Sequence, residues 1–203
     1  MLAGRPSHNS WDTVNNKITQ AIEQARSECN FPKKARKHRR GNFPAMAVWI
    51  SYGGGQMVCP FHTITHPSNP QQKPGNLCHN EANAAALTKL ISNESVQKAA
   101  GFTLSKPHSF ISITTPIKNK LGAFAIWMPK LHGYYVDHLD ALLQHDYKLR
   151  RNFHNSVWSS TTINFSPRTC YKQHTDFNNL PFRICSIYGA GRYKSKEGGH
   201  LVL

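Results

Sequence analysis

Two kinds of apolar repeat divide this chain, and their order restricts what it can become. In the first three quarters the apolar residues recur at helical spacing. Trp11, Val14, Ile18, Ile22 and Ala25 stand three and four apart, which stacks them along one face of an α-helix. Ser10 offers a hydroxyl as N-cap, and Pro32, which cannot extend the hydrogen-bond ladder, ends the element. "NEANAAALTKLISNESVQKAAGF" predicts helix again, as two short pieces breaking near Asn93, with Gly101 as the C-terminal stop. "PKLHGYYVDHLDALLQHDYKLRRNF" predicts a further helix whose apolar face is Leu131, Tyr135, Leu139, Leu142 and Leu143. One strand-like run, "PAMAVWISYGGGQ", interrupts this half. Its three glycines read as a tight turn, because no GK[ST] follows to make a phosphate loop. After Asn155 the character changes to short β-rich runs, "SSTTINF", "FRICSIY" and "GGHLVL", separated by Pro, Asn and Gly. Helices first and strands last predict an α+β fold, a helical layer packed on a sheet or barrel.

The 203 residues suit a single domain behind a helical preface, divided here into 1–40, helix plus basic linker, and 41–203. At 39% hydrophobic the chain can bury a core, which argues against wholesale disorder. Twenty-five Lys and Arg against 10 Asp and Glu give a formal charge of +15. That excess favours polyanions, nucleic acid first and an anionic membrane surface second. The densest run is "KKARKHRR", with Lys33, Lys34, Arg36, Lys37, Arg39 and Arg40. It reads as a phosphate grip or nuclear address, or equally as a solvated linker. Cys29, Cys59, Cys78, Cys170 and Cys185 are scattered and odd in number, with no CxxC pair. They support neither a zinc knuckle nor a disulfide scaffold, and they fit a reducing compartment. The opening "MLAGRPSHNSWDT" lacks the apolar centre of a signal peptide. No apolar run approaches the ~20 residues of a membrane span. The expected location is therefore nuclear or cytoplasmic, not secreted.

Two segments fit no element. Residues 57–73 are rich in Pro, Ser, Thr and Gln, and 103–120 are β-branched and polar without a period. Structureless stretches of that length are unusual inside a compact domain. His62 and His66 stand four apart in the first, but Pro60 and Pro67 argue against the helix that would let them share a metal.

The chain carries two His-x-Asp sequences, His138/Asp140 and His174/Asp176. Among 12 histidines the spacing alone is weak, so backbone context decides. Two residues along a helix turn by about 200°, so His138 and Asp140, inside "YYVDHLDALL", point apart and cannot close on one ion. His174 and Asp176 are flanked by turn and β formers. In an extended strand residues two apart face the same side, where an imidazole nitrogen and a carboxylate oxygen can reach one ion at ~2.1 Å. That is two-thirds of the 2-His-1-carboxylate face used by non-haem Fe(II) oxygenases. The alternative is a pair merely hydrogen-bonded in a polar loop. Neither GxSxG nor a carboxylate dyad is in evidence.

"RRGNFPAMAVWISYGGGQ", "PGNL", "KLHGYYVDHLDALLQHDYKLRRNFHNSVW", "TTINFSPRTCYKQHTDFNNLPF" and "EGGHLVL" together resemble a large fungal family of TET/JBP-type dioxygenase-like proteins. The resemblance covers most of 39–203. It implies 2-oxoglutarate and Fe(II) as cofactors. It also implies a double-stranded β-helix (jelly-roll) with helices packed on one sheet, and oxidation of methyl groups on thymine or 5-methylcytosine in nucleic acid. His174 and Asp176 match the first two iron ligands, and Asn178 and Asn179 match asparagines that follow them, as substrate-binding residues. The family pattern continues past "HLVL" with strands carrying a distal histidine and a basic residue for 2-oxoglutarate. On this resemblance the chain is a truncated copy with its last strands missing, expected to be inactive. The family also passes directly over 57–73 and 103–120, so these segments are expected to be retained introns. Spliced transcripts that keep both in frame would overturn that. Two further readings stay open: a non-catalytic, basic nucleic-acid-binding remnant, and a non-functional gene-model product.

Overall fold

The computed structural model describes residues 10–31, 33–37, 41–51, 75–77, 79–104, 123–154, 156–165, 169, 172 and 184–191. Helix α1 (Ser10–Glu28) buries Val14, Ile18 and Ala25 on the expected face. Asp12 in its first turn and Arg26 in its last complement the helix dipole. A four-residue helix, α2 (Lys33–Arg36), forms where the sequence suggested a basic linker. Next come β1 (Ala45–Ser51), β2 (Gly75–Asn76), α3 (Glu81–Ile91) and α4 (Glu94–Leu104). The helical break falls where expected, and Asn93 causes it. Its side-chain oxygen accepts the N–H groups of Ser95 and Val96 at 3.0 and 3.3 Å and so caps α4. Gly101 does not stop α4, which runs on to Leu104. Glycine in a helix interior costs about 1 kcal/mol but ends the helix only if the chain turns there.

Helix α5 (Ala123–Trp127) precedes α6 (Pro129–His145), whose Pro129 sits where a missing N–H costs nothing. The last helix stops at His145, just past the last residue of its apolar face, and not at Phe153 where the expected helical stretch ends. Asp146 turns extended (φ −132°, ψ 95°), and its carboxylate accepts the Lys148 N–H at 3.0 Å, which closes a turn instead of another helical ring. Strand β3 (Ser160–Asn164) follows. Residues 184–190 form no strand, contrary to the reading of "FRICSIY". The backbone of Ile184 is satisfied by a side chain instead of a ladder, as described below.

The sheet is antiparallel, ordered β2-β1-β3. β1 pairs with β3 from Ala45↔Asn164 to Trp49↔Ser160, then with β2 at Ile50↔Asn76 and Ser51↔Gly75. The handover falls at Trp49, whose φ of +59° lies in the left-handed region. For a bulky residue this stores roughly 1–3 kcal/mol of strain. Its surroundings enforce it. Trp49 is buried, its carbonyl accepts the Leu77 N–H at 2.7 Å, and the Arg150 guanidinium lies 5.3 Å from its ring. In an unbroken strand Val48 and Ile50 would share a face. Here they part. Val48 joins the main core with Ala25, Phe31, Leu87, Leu90, Phe153 and Phe165, and Ile50 joins Leu139 of α6 and Leu149. Leu87, Val48 and Phe165 are wholly enclosed, each stabilising by about 1.5–3 kcal/mol. Mixed helices and an antiparallel sheet bear out the α+β class.

Asparagine amides stitch the joints. Asn83, buried in α3, accepts the Asn30 N–H at 2.7 Å and donates to the Asn30 carbonyl at 3.0 Å, tying the end of α1 to α3. Asn76 does the same for the turn after α6, donating to the Lys148 carbonyl at 2.6 Å and accepting the Arg150 N–H at 2.9 Å. An amide carries a donor and an acceptor side by side, as a ladder residue does, so it can stand in for a strand edge.

His79, just ahead of α3, has Nε2 3.0 Å from the Ala47 carbonyl of β1, so that nitrogen carries the proton and donates. Burial lowers its pKa below the ordinary 6.5, outweighing the opposite pull of the carbonyl. The folded state therefore takes up a second ring proton, the one that charges the imidazole, less readily than the unfolded one. Its contribution to stability is whole above the ordinary value and declines as pH falls through it. We expect the unfolding midpoint to drop between about pH 7 and pH 5. His79→Gln, which keeps a donor and cannot titrate, should flatten that slope; an unchanged slope in the variant would remove His79 as its cause.

Candidate functional site

The candidate metal pair lies in a span whose two ends are held by different devices. Upstream, β3 delivers the chain to Phe165. Its N–H donates to the Pro44 carbonyl at 2.8 Å and its fully buried ring lies 5.1 Å from that of Phe31. Downstream, the chain is caught at Ile184 by one side chain. The Tyr135 hydroxyl donates to the Ile184 carbonyl and accepts the Ile184 N–H, both at 3.2 Å. Between these anchors Thr169 and Lys172 are exposed. His174, Asp176, Asn178 and Asn179 lie outside the described residues.

Tyr135 is fixed by an aromatic cluster drawn from three places in the chain. Phe124 of α5 meets His132 and Tyr135 of α6 edge-on, each at 5.4 Å, and stacks on Trp158 at 5.4 Å. Trp158 meets Tyr135 edge-on at 5.0 Å. Such offset and edge contacts add about 0.5–1.5 kcal/mol each beyond burial. They set the angle of the tyrosine, and so the position of its hydroxyl. The Trp158 indole N–H is buried and has no hydrogen-bond partner among the described residues. Sequence reasoning missed His132, which is 4% exposed, because the apolar stripe of α6 was read from aliphatic and tyrosine positions alone.

The other His-x-Asp behaves as its helical setting predicts. His138 is exposed, its Nδ1 donates to the Tyr134 carbonyl at 2.8 Å, and its ring lies 3.9 Å from that of Tyr134. Asp140 faces elsewhere and accepts from Arg151 at 2.7 Å; the other guanidinium nitrogen of Arg151 donates to the Ser156 carbonyl. Asp140 is thus engaged in bracing the chain between α6 and β3.

Among the described residues no three His, Cys, Asp or Glu side chains form a group suited to hold a metal. The Cys29 thiol is pushed up by burial and by Glu28, which disfavours a nucleophilic thiolate. Of the basic run, Lys33, Arg36 and Lys37 are exposed, Lys34 lies in α2, and Arg39 and Arg40 fall outside the described residues. So do 57–73, with His62 and His66, and 105–120 of the second odd segment, whose first two residues complete α4. No described helix is long and apolar enough to cross a membrane. The chain matches no protein-family model, no curated protein and no solved structure.

Tyr135→Phe keeps the ring contacts and removes both bonds to Ile184. We expect a stability loss of about 1–3 kcal/mol, with hydrogen-exchange protection lost at the Ile184 amide first. Wild-type protection at that amide would show that the hydroxyl is not the anchor.

Proposed function

We propose that the chain is a 2-oxoglutarate/Fe(II)-dependent dioxygenase-like protein, its site built on His174 and Asp176. The finer architecture proposed with it is a double-stranded β-helix with helices on one face. The observation that supports this reading best is the contrast between the two His-x-Asp pairs. Asp140 is committed to Arg151 and His138 faces solvent on a helix, whereas the second pair follows a strand of the antiparallel sheet. The resemblance of the surrounding motifs to the TET/JBP-type family supports it independently.

In this reading His174 supplies an imidazole nitrogen and Asp176 a carboxylate oxygen to one metal ion. Bound Fe(II) with 2-oxoglutarate would supply an oxidant able to remove hydrogen from a methyl group on a nucleic-acid base. Asn178 and Asn179 would hydrogen-bond the base. Lys33, Lys34, Arg36, Lys37, Arg39 and Arg40 would neutralise phosphates without reading sequence. A base in duplex has to leave the stack before its methyl can reach such a site. Two of the three ligands such a site needs are assigned here.

The second reading, a non-catalytic nucleic-acid-binding protein, is favoured by the charge of +15 and by the exposure of Lys33, Arg36 and Lys37. One set of measurements separates the two. We expect Fe(II) or Co(II) binding that disappears in His174→Ala and survives in Asp140→Asn. Metal affinity indifferent to His174 would sink the oxygenase reading. Oligonucleotide binding that is salt-sensitive, iron-independent and lost on neutralising 33–40 would leave the second in its place.

A further inference from the structure

The turn that ends α6 presents the most exposed large hydrophobic side chain of the described residues on a well-bonded piece of backbone. Tyr147 is 86% exposed. The backbone on either side of it is held in four ways. The Asp146 N–H donates to the Leu142 carbonyl at 3.0 Å, continuing the ladder of α6. The Asp146 carboxylate and carbonyl accept the N–H groups of Lys148 and Leu149 at 3.0 and 3.1 Å. The Asn76 amide clasps the backbone of Lys148 and Arg150. Leu149, between them, is buried against Ile50 and Leu139. Leu149 roots the turn while Tyr147, Lys148 and Arg150 face solvent. Lys148 and Arg150 have no carboxylate partner among the described residues. Arg150 lies over the Trp49 ring at 5.3 Å yet remains exposed, which orients its planar fork without using its N–H groups.

We propose that this turn is a docking point for single-stranded nucleic acid, with Tyr147 stacking on an unpaired base and Lys148 and Arg150 meeting the flanking phosphates. A solvent-facing aromatic on a held turn, followed by two cations, offers what an unpaired strand requires. Every base has a face to stack, and the strand's charge needs neutralising. The held backbone removes an ordering cost that a mobile loop would incur on binding. The sign of the surface decides between partners. The C-terminal end of α6 is weakly negative, and the Asp146 carboxylate is held by the turn. The attraction therefore comes from Lys148, Arg150 and the overall charge of +15. Duplex offers no free base face, so it should use the cations and not the tyrosine. The inference deepens the nucleic-acid half of the proposed function and does not depend on the metal half.

The test is fluorescence anisotropy with a short labelled oligodeoxythymidylate and a duplex of equal length, read across a salt series. Tyr147→Ala should weaken single-strand binding about tenfold or more and leave the duplex nearly unchanged, and Tyr147→Phe should restore it. Lys148→Gln should flatten the single-strand salt slope by about 0.7. Thermal melts of all three variants should match the parent, as the exposure of both side chains requires. Single-strand binding by Tyr147→Ala equal to the parent's, or an equal loss on duplex, overturns the proposal while leaving a nucleic-acid function standing. Absence of any oligonucleotide binding overturns both. Tyrosine-dependent binding to phosphatidylserine vesicles in place of oligonucleotide would assign the turn to a lipid surface instead.

Discussion

The left-handed backbone at Trp49 is the constraint around which the described structure is organised. It lets one strand serve two neighbours in succession, β3 as far as Trp49 and β2 beyond it. It also splits the inward-facing residues of that strand between two clusters, one built on α1 and α3 and the other on α6. The backbone at this position would be most at ease with glycine or asparagine, but the core there needs a large ring. Local preference and packing disagree, and packing prevails. The disagreement survives because the carbonyl of the same residue is bonded to Leu77 and its ring is covered by Arg150.

The rest of the assembly leans on side chains that imitate backbone. Asn76, Asn83 and Tyr135 each give one hydrogen bond and take another, Asn83 and Tyr135 with one residue's backbone and Asn76 with the two residues on either side of Leu149. Each joins segments too irregular to form a ladder. Neutral bonds of this kind contribute about 1 kcal/mol each, whereas stranding a buried partner costs more. Their importance therefore lies less in net stabilisation than in fixing which loops adjoin which elements. The span containing His174 and Asp176 is held at one end by strand pairing and buried phenylalanine, and at the other by one phenol.

What could be read from the residues alone follows length and one-sidedness. α1, the α3–α4 pair and its break at Asn93, β1 and β3 all carry a sustained period or a capping side chain, and these fall where the pattern predicts. α2 and α5 are shorter than the window in which a period can be recognised. The end of α6 is not marked in the residues, because Leu149 and Phe153 beyond it are buried as helix positions would be, but from irregular backbone. The choice between the two His-x-Asp pairs was legible in part. Helical geometry disqualifies 138/140 without coordinates, and Arg151 supplies the detail. The aromatic cluster behind Tyr135 was not legible, since Phe124, His132 and Trp158 converge only in three dimensions.

The grip of Asn76 has a consequence for how this surface can change. It takes hold of a carbonyl and an N–H, groups that every residue other than proline possesses, and asks nothing of the side chains at 148 and 150. The mounting is indifferent to what is mounted. Substitutions at 147 and 148 can therefore alter what the turn contacts while the scaffold beneath keeps its shape, whereas Arg150, which covers the Trp49 ring, belongs to that scaffold.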